Sequence, residues 1–471
     1  MIITVISGEN VAARLIYSSP TTLFRAIIDS GVNFIAPCGG RGVCGKCRVT
    51  VVGGFDGSGE DIEVLACKTV VSADTVISLP TGDVRAVTVG ENMLPGNDTL
   101  PKGEVGFALD IGTTTLAAAA VDMKTEKIFK CAAVQNPQAA HGADIISRIS
   151  FDEENPHILR DEIKDAAARL KTRVGCEKDS PAVIVGNTTM LSLYFGLDVS
   201  GIGRYPFTPP SLFGENIGNE YIPPCVSGFV GADATSAYFA AGLCDGDDSK
   251  SALLLDIGTN GEMLYRSSGK LCCASAAAGP ALEGAGISCG LPASDGAIDA
   301  VTITDGHLSY HVIGEKKARG LCGSGLIGAI SCLIKLGVVR YDGYMEKDYE
   351  IARGVSITPA DVRAFMLAKA AIRAGIEILT HKDEVCDVII SGGFGAGLIF
   401  DDMFETGILP REFEGRVRYI GNGALLGAAR LLCDSESRET LLRTARDAEY
   451  VELSASARFA DEFIKRLKFG D

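Results

Sequence analysis

Apolar residues along this chain follow two rhythms. Short runs bounded by glycine or polar turns predict strands, and longer stretches with apolar positions three and four apart predict helices. Residues 2–6 and 14–17 are strand-like, and 21–30 form a short amphipathic helix with Leu23, Ala26 and Ile27 on one face. A cysteine-bearing loop, a strand and a turn-rich acidic loop over 56–63 follow. Residues 83–104 hold Gly90, Pro95, Gly96, Pro101 and Gly103 without sustained periodicity, and read as a linker.

From residue 106 short strands alternate with longer helices, the α/β pattern. Apolar runs over 107–111 and 116–121 predict an antiparallel pair; 142–150 begins a helical region, 160–174 is a surface helix, and 182–189 is a buried strand ending in a polar turn. Gly231-Ala-Asp233 opens a helix, and glycine-rich turns occupy 278–286 and 320–325. Thr358 and Pro359 start a long helix running through 379, as N-cap and first helical residue. Residues 387–395 are a strand entering a double-glycine turn; 419–423 precede a helix over 424–432, and two helical stretches close the chain.

The candidate chemistry begins where the 107–111 run delivers Asp110 into Gly112, Thr113, Thr114 and Thr115. Gly112 lets the backbone turn and approach a ligand. The threonine hydroxyls and successive N–H groups can cradle phosphate oxygens, and Asp110 can hold a metal ion or its water. One such turn closes many ordinary hairpins. A second copy, Asp256-Ile-Gly-Thr259, followed by Asn260, Gly261 and Glu262, points instead to two similar halves facing one ligand.

The small unit at 1–82 carries Cys38, Cys44 and Cys47 on a glycine-rich loop, spaced C-x5-C-x2-C, and Cys67 beyond. Three thiolates on one such loop suit an iron–sulfur cluster, whose sulfides accept bonds from loop N–H groups. Zinc is the rival, although zinc sites usually show two C-x2-C knuckles. The remaining cysteines of the odd total of 15 read as reduced, buried thiols.

The 471 residues allow several domains, and the formal charge of −16 argues against nucleic acid and anionic membrane as main partners. There is no apolar run of membrane-spanning length and no basic, cleavable leader at residues 1–10, so a cytoplasmic setting is expected.

The cysteine loop resembles the [2Fe–2S] ferredoxins of the β-grasp fold, nearer the adrenodoxin-like branch than the plant type. The two turns, the later Gly392-Gly393-Phe394-Gly395 and the returning Gly-Asn-Gly helix resemble the actin, sugar-kinase and chaperone-ATPase superfamily. That resemblance implies ATP and Mg2+. Gly112 to Thr115 would form one phosphate loop, Gly258, Thr259, Asn260 and Gly261 the second, and Gly392 to Gly395 the adenosine turn. Asp110, Asp256, Glu262 and Glu283 would position metal and water.

The joined pair resembles the reductive activators of corrinoid proteins, also through Asn136-Pro-Gln138, Gly186-Asn-Thr-Thr189, Gly231-Ala-Asp233 and Ala278-Gly-Pro280. It implies an α/β two-lobed actin-like ATPase fold with an N-terminal α+β ferredoxin domain. The expected division is 1–82 for the ferredoxin unit, 83–104 for the linker and 105–471 for the ATPase. Lobe one would take about 105–250 plus 419–471, and lobe two about 251–418. The function implied is ATP-dependent reduction of cob(II)amide to cob(I)amide on a corrinoid protein or corrinoid-dependent methyltransferase, with an electron donor and with a homodimer left open. Known members carry a further middle domain, for which 105–471 leaves no room on this reading. Rival readings are an activator of another low-potential enzyme, a nucleotide-gated redox scaffold and a small-molecule kinase.

Overall fold

The computed structural model describes residues 1–7, 10–30, 42, 47–55, 59–79, 104–142, 144–244, 250–381, 384–393 and 397–470. Cys38, Cys44, Phe394, Gly395 and nearly all of the expected linker lie outside the described residues.

In the first unit a five-stranded sheet has the parallel pair Ile2–Ser7 and Thr75–Leu79 at its centre. The helix Leu23–Asp29 is capped by Thr22 and buries Leu23, Ala26 and Ile27, the face its spacing predicted. These side chains close a core with Ile3, Val5, Val49, Val51 and Ile77.

Two six-stranded mixed sheets follow, and they share a plan. In each, the central strand opens a hairpin meander, and a later strand returns parallel to that central strand. The first sheet runs Lys127–Gln135, Thr115–Asp122, Val105–Ile111, Ala182–Gly186, Glu220–Ile222, Glu215–Ile217. The second runs Val417–Tyr419, Asp387–Ser391, Ala252–Ile257, Gly261–Ser267, Lys270–Ala276, Glu449–Tyr450. The central strands are apolar because both faces are covered. The helices Ile158–Val174 and Gly423–Cys433 cover the first sheet, and Pro359–Thr380 packs on the second. Each leucine sealed at these contacts, such as Leu425 and Leu431, contributes about 2 kcal/mol of burial. Thr358 and Asp361 form the capping box that starts the long helix where the sequence placed it.

Two segments depart from the sequence reading. The glycine-rich 320–325 stretch is not a free turn: Cys322 stands at the N-cap of a helix, Gly323–Lys335, buried from Gly323 to Ile334. Glycine is a poor helix former, yet a Cβ on Gly325 would sit 2.0 Å from the Ile298 carbonyl oxygen, so close packing on the Ala297–Thr304 strand requires it. The chain end also divides differently. The helix Gly423–Cys433 belongs with the first sheet, but Glu449–Tyr450 joins the second sheet and Ala457–Lys465 packs on Pro359–Thr380, so residues 449–465 lie with lobe two, not lobe one. Among the described residues no helix is long and apolar enough to cross a membrane.

Candidate functional site

The two aspartates emerge at equivalent places, the carboxyl ends of the two central strands. Asp110 lies beside Val185 on the parallel strand. Asp256 lies between Ser391 on its parallel neighbour and Glu262 on its antiparallel one. Carboxyl ends of parallel strands are where open α/β sheets bind ligands.

Turn one is closed by the Gly112 N–H donating to the Thr115 carbonyl at 3.0 Å. A Cβ on Gly112 would stand 2.6 Å from that same oxygen, so only glycine makes this turn. Asn136 Nδ2 donates to the Gly112 carbonyl at 2.8 Å, and Asn187 Nδ2 to the Thr113 hydroxyl at 3.1 Å. The Thr113 side chain is therefore a buried fastening, whereas the Thr114 hydroxyl points to Glu283.

Turn two is closed by Gly258 N–H to the Asn260 carbonyl at 2.8 Å. Gly261 lies under it with a packing duty: a Cβ there would meet Ile372 at 2.9 Å. Between the turns sits Glu283. Its Oε2 accepts the Thr114 hydroxyl at 3.2 Å and the Thr259 hydroxyl at 2.6 Å.

The Gly-Asn-Gly segment ties the two aspartates together. Asn422 Oδ1 caps its helix by accepting the Leu425 N–H at 2.8 Å, and Asn422 Nδ2 donates to Asp110 Oδ2 at 2.9 Å. The next residue, Gly423, donates its N–H to Ser391 Oγ at 3.2 Å, and Ser391 hydrogen-bonds Asp256. The partial positive charge of this helix N-terminus faces the two carboxylates. At the expected adenosine turn Gly392 has φ +131, its carbonyl accepts the Tyr419 hydroxyl at 2.8 Å, and the space beside Gly393 is open.

Asp233, in the first turn of Ala232–Ala240, joins this set, although the sequence reading gave it no role. Asn422, Asn187 and Arg148 were missed likewise; the only signals for the first two were their places in Gly-Asn-Gly and Gly-Asn-Thr-Thr. Each of the five carboxylates, Asp110, Asp233, Asp256, Glu262 and Glu283, is partly exposed. Protein atoms around them nonetheless push Asp256 up to about 8, Asp110 to about 7 and Asp233 to about 6, with Glu262 and Glu283 raised as well. Burial is the main cause; mutual repulsion adds to it for Asp110, Asp256 and Glu262. No three of the described acidic, histidine or cysteine side chains anywhere converge closely enough to hold a metal alone. Spaced carboxylates of this kind suit Mg2+, which keeps its waters and takes one or two carboxylates plus phosphate oxygens.

In the first unit Arg48 pairs with Leu65 across antiparallel strands, which brings Cys47 beside Cys67. Their sulfurs are 3.1 Å apart without a disulfide, and the Cys67 N–H points at Cys47 Sγ at 3.5 Å. Two facing thiols with a backbone donor fit the ligand set of an iron–sulfur cluster. The other thirteen cysteines include buried ones such as Cys176 and Cys225, where burial pushes the thiol to about 11 and about 12.

Residues 250–471 match a family model described as the C-terminal domain of RACo, the ASKHA domain, and residues 105–245 match the RACo middle region. The chain is 30% identical over 436 residues to the corrinoid activation enzyme RamQ of Eubacterium limosum, across 81% of this chain and 72% of that one. It is 23% identical over 418 residues to a [Co(II) methylated amine-specific corrinoid protein] reductase of Methanosarcina barkeri, across 77% of each. Among solved structures, a reductive activator for corrinoid, iron–sulfur protein superposes with a TM-score of 0.71 and 26% identity, covering 99% of this chain and 98% of that one.

The middle-region match corrects one expectation. Because the Asp110 turn mirrors the Asp256 turn, the sequence suggests a single ATPase over all of 105–471, with no room for a middle domain. The middle region is present, and it is the segment 105–245 that carries the first turn.

Proposed function

This chain belongs to the RACo family of reductive activators of corrinoid proteins, and from that premise we propose that it uses ATP to return cob(II)amide on a corrinoid protein to cob(I)amide. One electron is added to cobalt in each event. The observation that carries the reading is the union in one chain of the facing Cys47 and Cys67 thiols with a cleft walled by two Asp-Ile-Gly-Thr turns.

We assign residues 1–82 to electron carriage, 83–104 to a tether, and the two turn-bearing sheets to nucleotide binding. Cys38, Cys44, Cys47 and Cys67 would hold a [2Fe–2S] cluster, which supplies a one-electron carrier. Thr114 and Thr259 would donate to phosphate oxygens. Asp110 and Asp256, each oriented by a neutral donor, would receive Mg2+ with its waters, and Glu262 and Glu283 would orient attacking water. Gly392 to Gly395 and Tyr419 would flank the adenosine.

Nucleotide is needed on energetic grounds. A cluster near the plant-type potential, about −400 mV, cannot reduce a much more negative acceptor alone. Each 100 mV uphill costs about 2.3 kcal/mol per electron. The Asn422-Gly423 pair and Glu283 join elements of both sheets, so phosphate binding between the turns changes contacts on both sides. That differential contact is what lets a ligand favour one arrangement of a docked partner over another. An external electron donor reloads the chain, in the cytoplasm. Steady-state ATP hydrolysis with and without cob(II)amide-bearing protein tests the assignment: stimulation by the cob(II) form and none by the cob(I) form is expected, and equal rates in all cases count against it.

A further inference from the structure

Arg148, on the helix Ile145–Glu154, stands behind turn one and has no part in the roles assigned above. Its side chain is 1% exposed. Among the described residues its hydrogen bonds all go to neutral acceptors. Nη2 donates to the Thr113 carbonyl at 2.6 Å and Nε to the Gly142 carbonyl at 3.0 Å. Nη1 donates to Gln138 Oε1 and to Met190 Sδ, each at 3.3 Å.

The two carboxylates whose fields reach it are engaged elsewhere. Asp144 caps its own helix, and Glu162 bonds His141 at 2.9 Å. Burial lowers the guanidinium only to about 10, so it stays charged at neutral pH. A buried cation without a carboxylate partner is costly, and that cost falls when an anion settles nearby. Around the two turns and the start of the helix Ala232–Ala240 stand five carboxylates, none with a lysine or arginine hydrogen-bond partner among the described residues. The charge that they carry when ionised repels an incoming polyphosphate.

We infer that Arg148 is a positioning residue for the phosphates of the nucleotide: it clamps the Thr113 carbonyl, and with it the shape of turn one, and sets a fixed positive charge behind the place where phosphate charge arrives. It touches no ligand. The inference rests on the reading that turn one binds ATP.

The test is a ligand ladder on the full chain. Adenosine, AMP, ADP and ATP, with Mg2+, are titrated into wild type, Arg148→Met and Arg148→Lys, with folding checked by thermal unfolding. Loss of charge leaves adenosine affinity unchanged and produces a deficit that grows with each phosphate, to about tenfold for ATP, which is about 1.4 kcal/mol. Arg148→Lys keeps the charge and recovers most of that affinity. A uniform loss for all four ligands, or none for ATP, overturns the inference. If only Arg148→Lys folds, a ladder as steep as wild type supports it and a flattened one overturns it. If neither variant folds, Arg148 is a scaffold residue and the inference is wrong. Wild type that binds no ATP removes the underlying nucleotide reading instead.

Discussion

The Thr114 hydroxyl donates to Glu283 Oε2 at 3.2 Å, although the two residues stand 169 positions apart. The Thr259 hydroxyl reaches the same oxygen at 2.6 Å. One anionic oxygen therefore collects the hydroxyl donors of both turns, as a phosphate oxygen would. A phosphate that takes these donors must displace it.

Glu283→Gln keeps the shape and removes the competing charge. We expect tighter MgATP binding, by up to roughly tenfold or about 1.4 kcal/mol, together with slower hydrolysis. Calorimetric titration alongside single-turnover kinetics checks both signs. Weaker binding with unchanged turnover would place Glu283 outside the phosphate seat.

Asp256 is crowded by Asp110, Asp233 and Glu283, all of which raise its pKa. Asp256→Asn relieves that repulsion but removes charge from the proposed Mg2+ position. Thermal stability of the nucleotide-free protein should rise by a few degrees, as about 1 kcal/mol gives in a domain of roughly 200 residues. ATP hydrolysis should fall on the order of a hundredfold. Visible absorption of the first unit should not change. An equally active, equally stable variant would show that turn two has been misassigned.

The same crowding sets a pH dependence. For Asp233, Asp110 and Asp256 the folded state holds protons up to about 6, 7 and 8, while the unfolded state releases them near 3.8. Between these values the folded chain binds more protons than the unfolded one, so stability falls as pH rises through that window. Nucleotide-free protein should thus melt at a lower temperature at pH 8 than at pH 5.5, and MgATP should shrink the difference. Carboxylates held low, such as Asp122 and Asp434, act oppositely but only in more acid solution. A melting temperature that climbs steadily from pH 5.5 to 8 would contradict the crowded cleft.

Much of this site was legible because it is written twice. The repeated Asp-Ile-Gly-Thr marks both central strands, and the cysteine spacing marks the first unit without reference to the rest. What was not legible depends on contacts distant in sequence. Arg148 is one arginine in an ordinary helix until Thr113 folds back onto it. Asn422 stands in a visible Gly-Asn-Gly, but its reach to Asp110 spans 312 residues. The helix Gly323–Lys335 was hidden by its own glycines, whose reason is the strand beneath them. Gly261 shows the converse: its motif is visible, while the structure uses its small size against Ile372.

Cys67→Ser removes one of the two thiols seen facing each other. Anaerobically prepared variant should lose its visible spectrum and most of its roughly two irons per chain, yet bind MgATP as wild type does. Zinc in wild type at one equivalent, without iron, would replace the cluster assignment.

The decisive measurement is the absorbance of a cob(II)amide-bearing protein mixed with the pre-reduced chain, with and without MgATP. Conversion to the cob(I) spectrum, one electron per cobalt and dependent on ATP, is the expected result. An unchanged cob(II) spectrum with every corrinoid protein of the same cell, with no stimulation of ATP hydrolysis by any of them, would contradict the proposed activity.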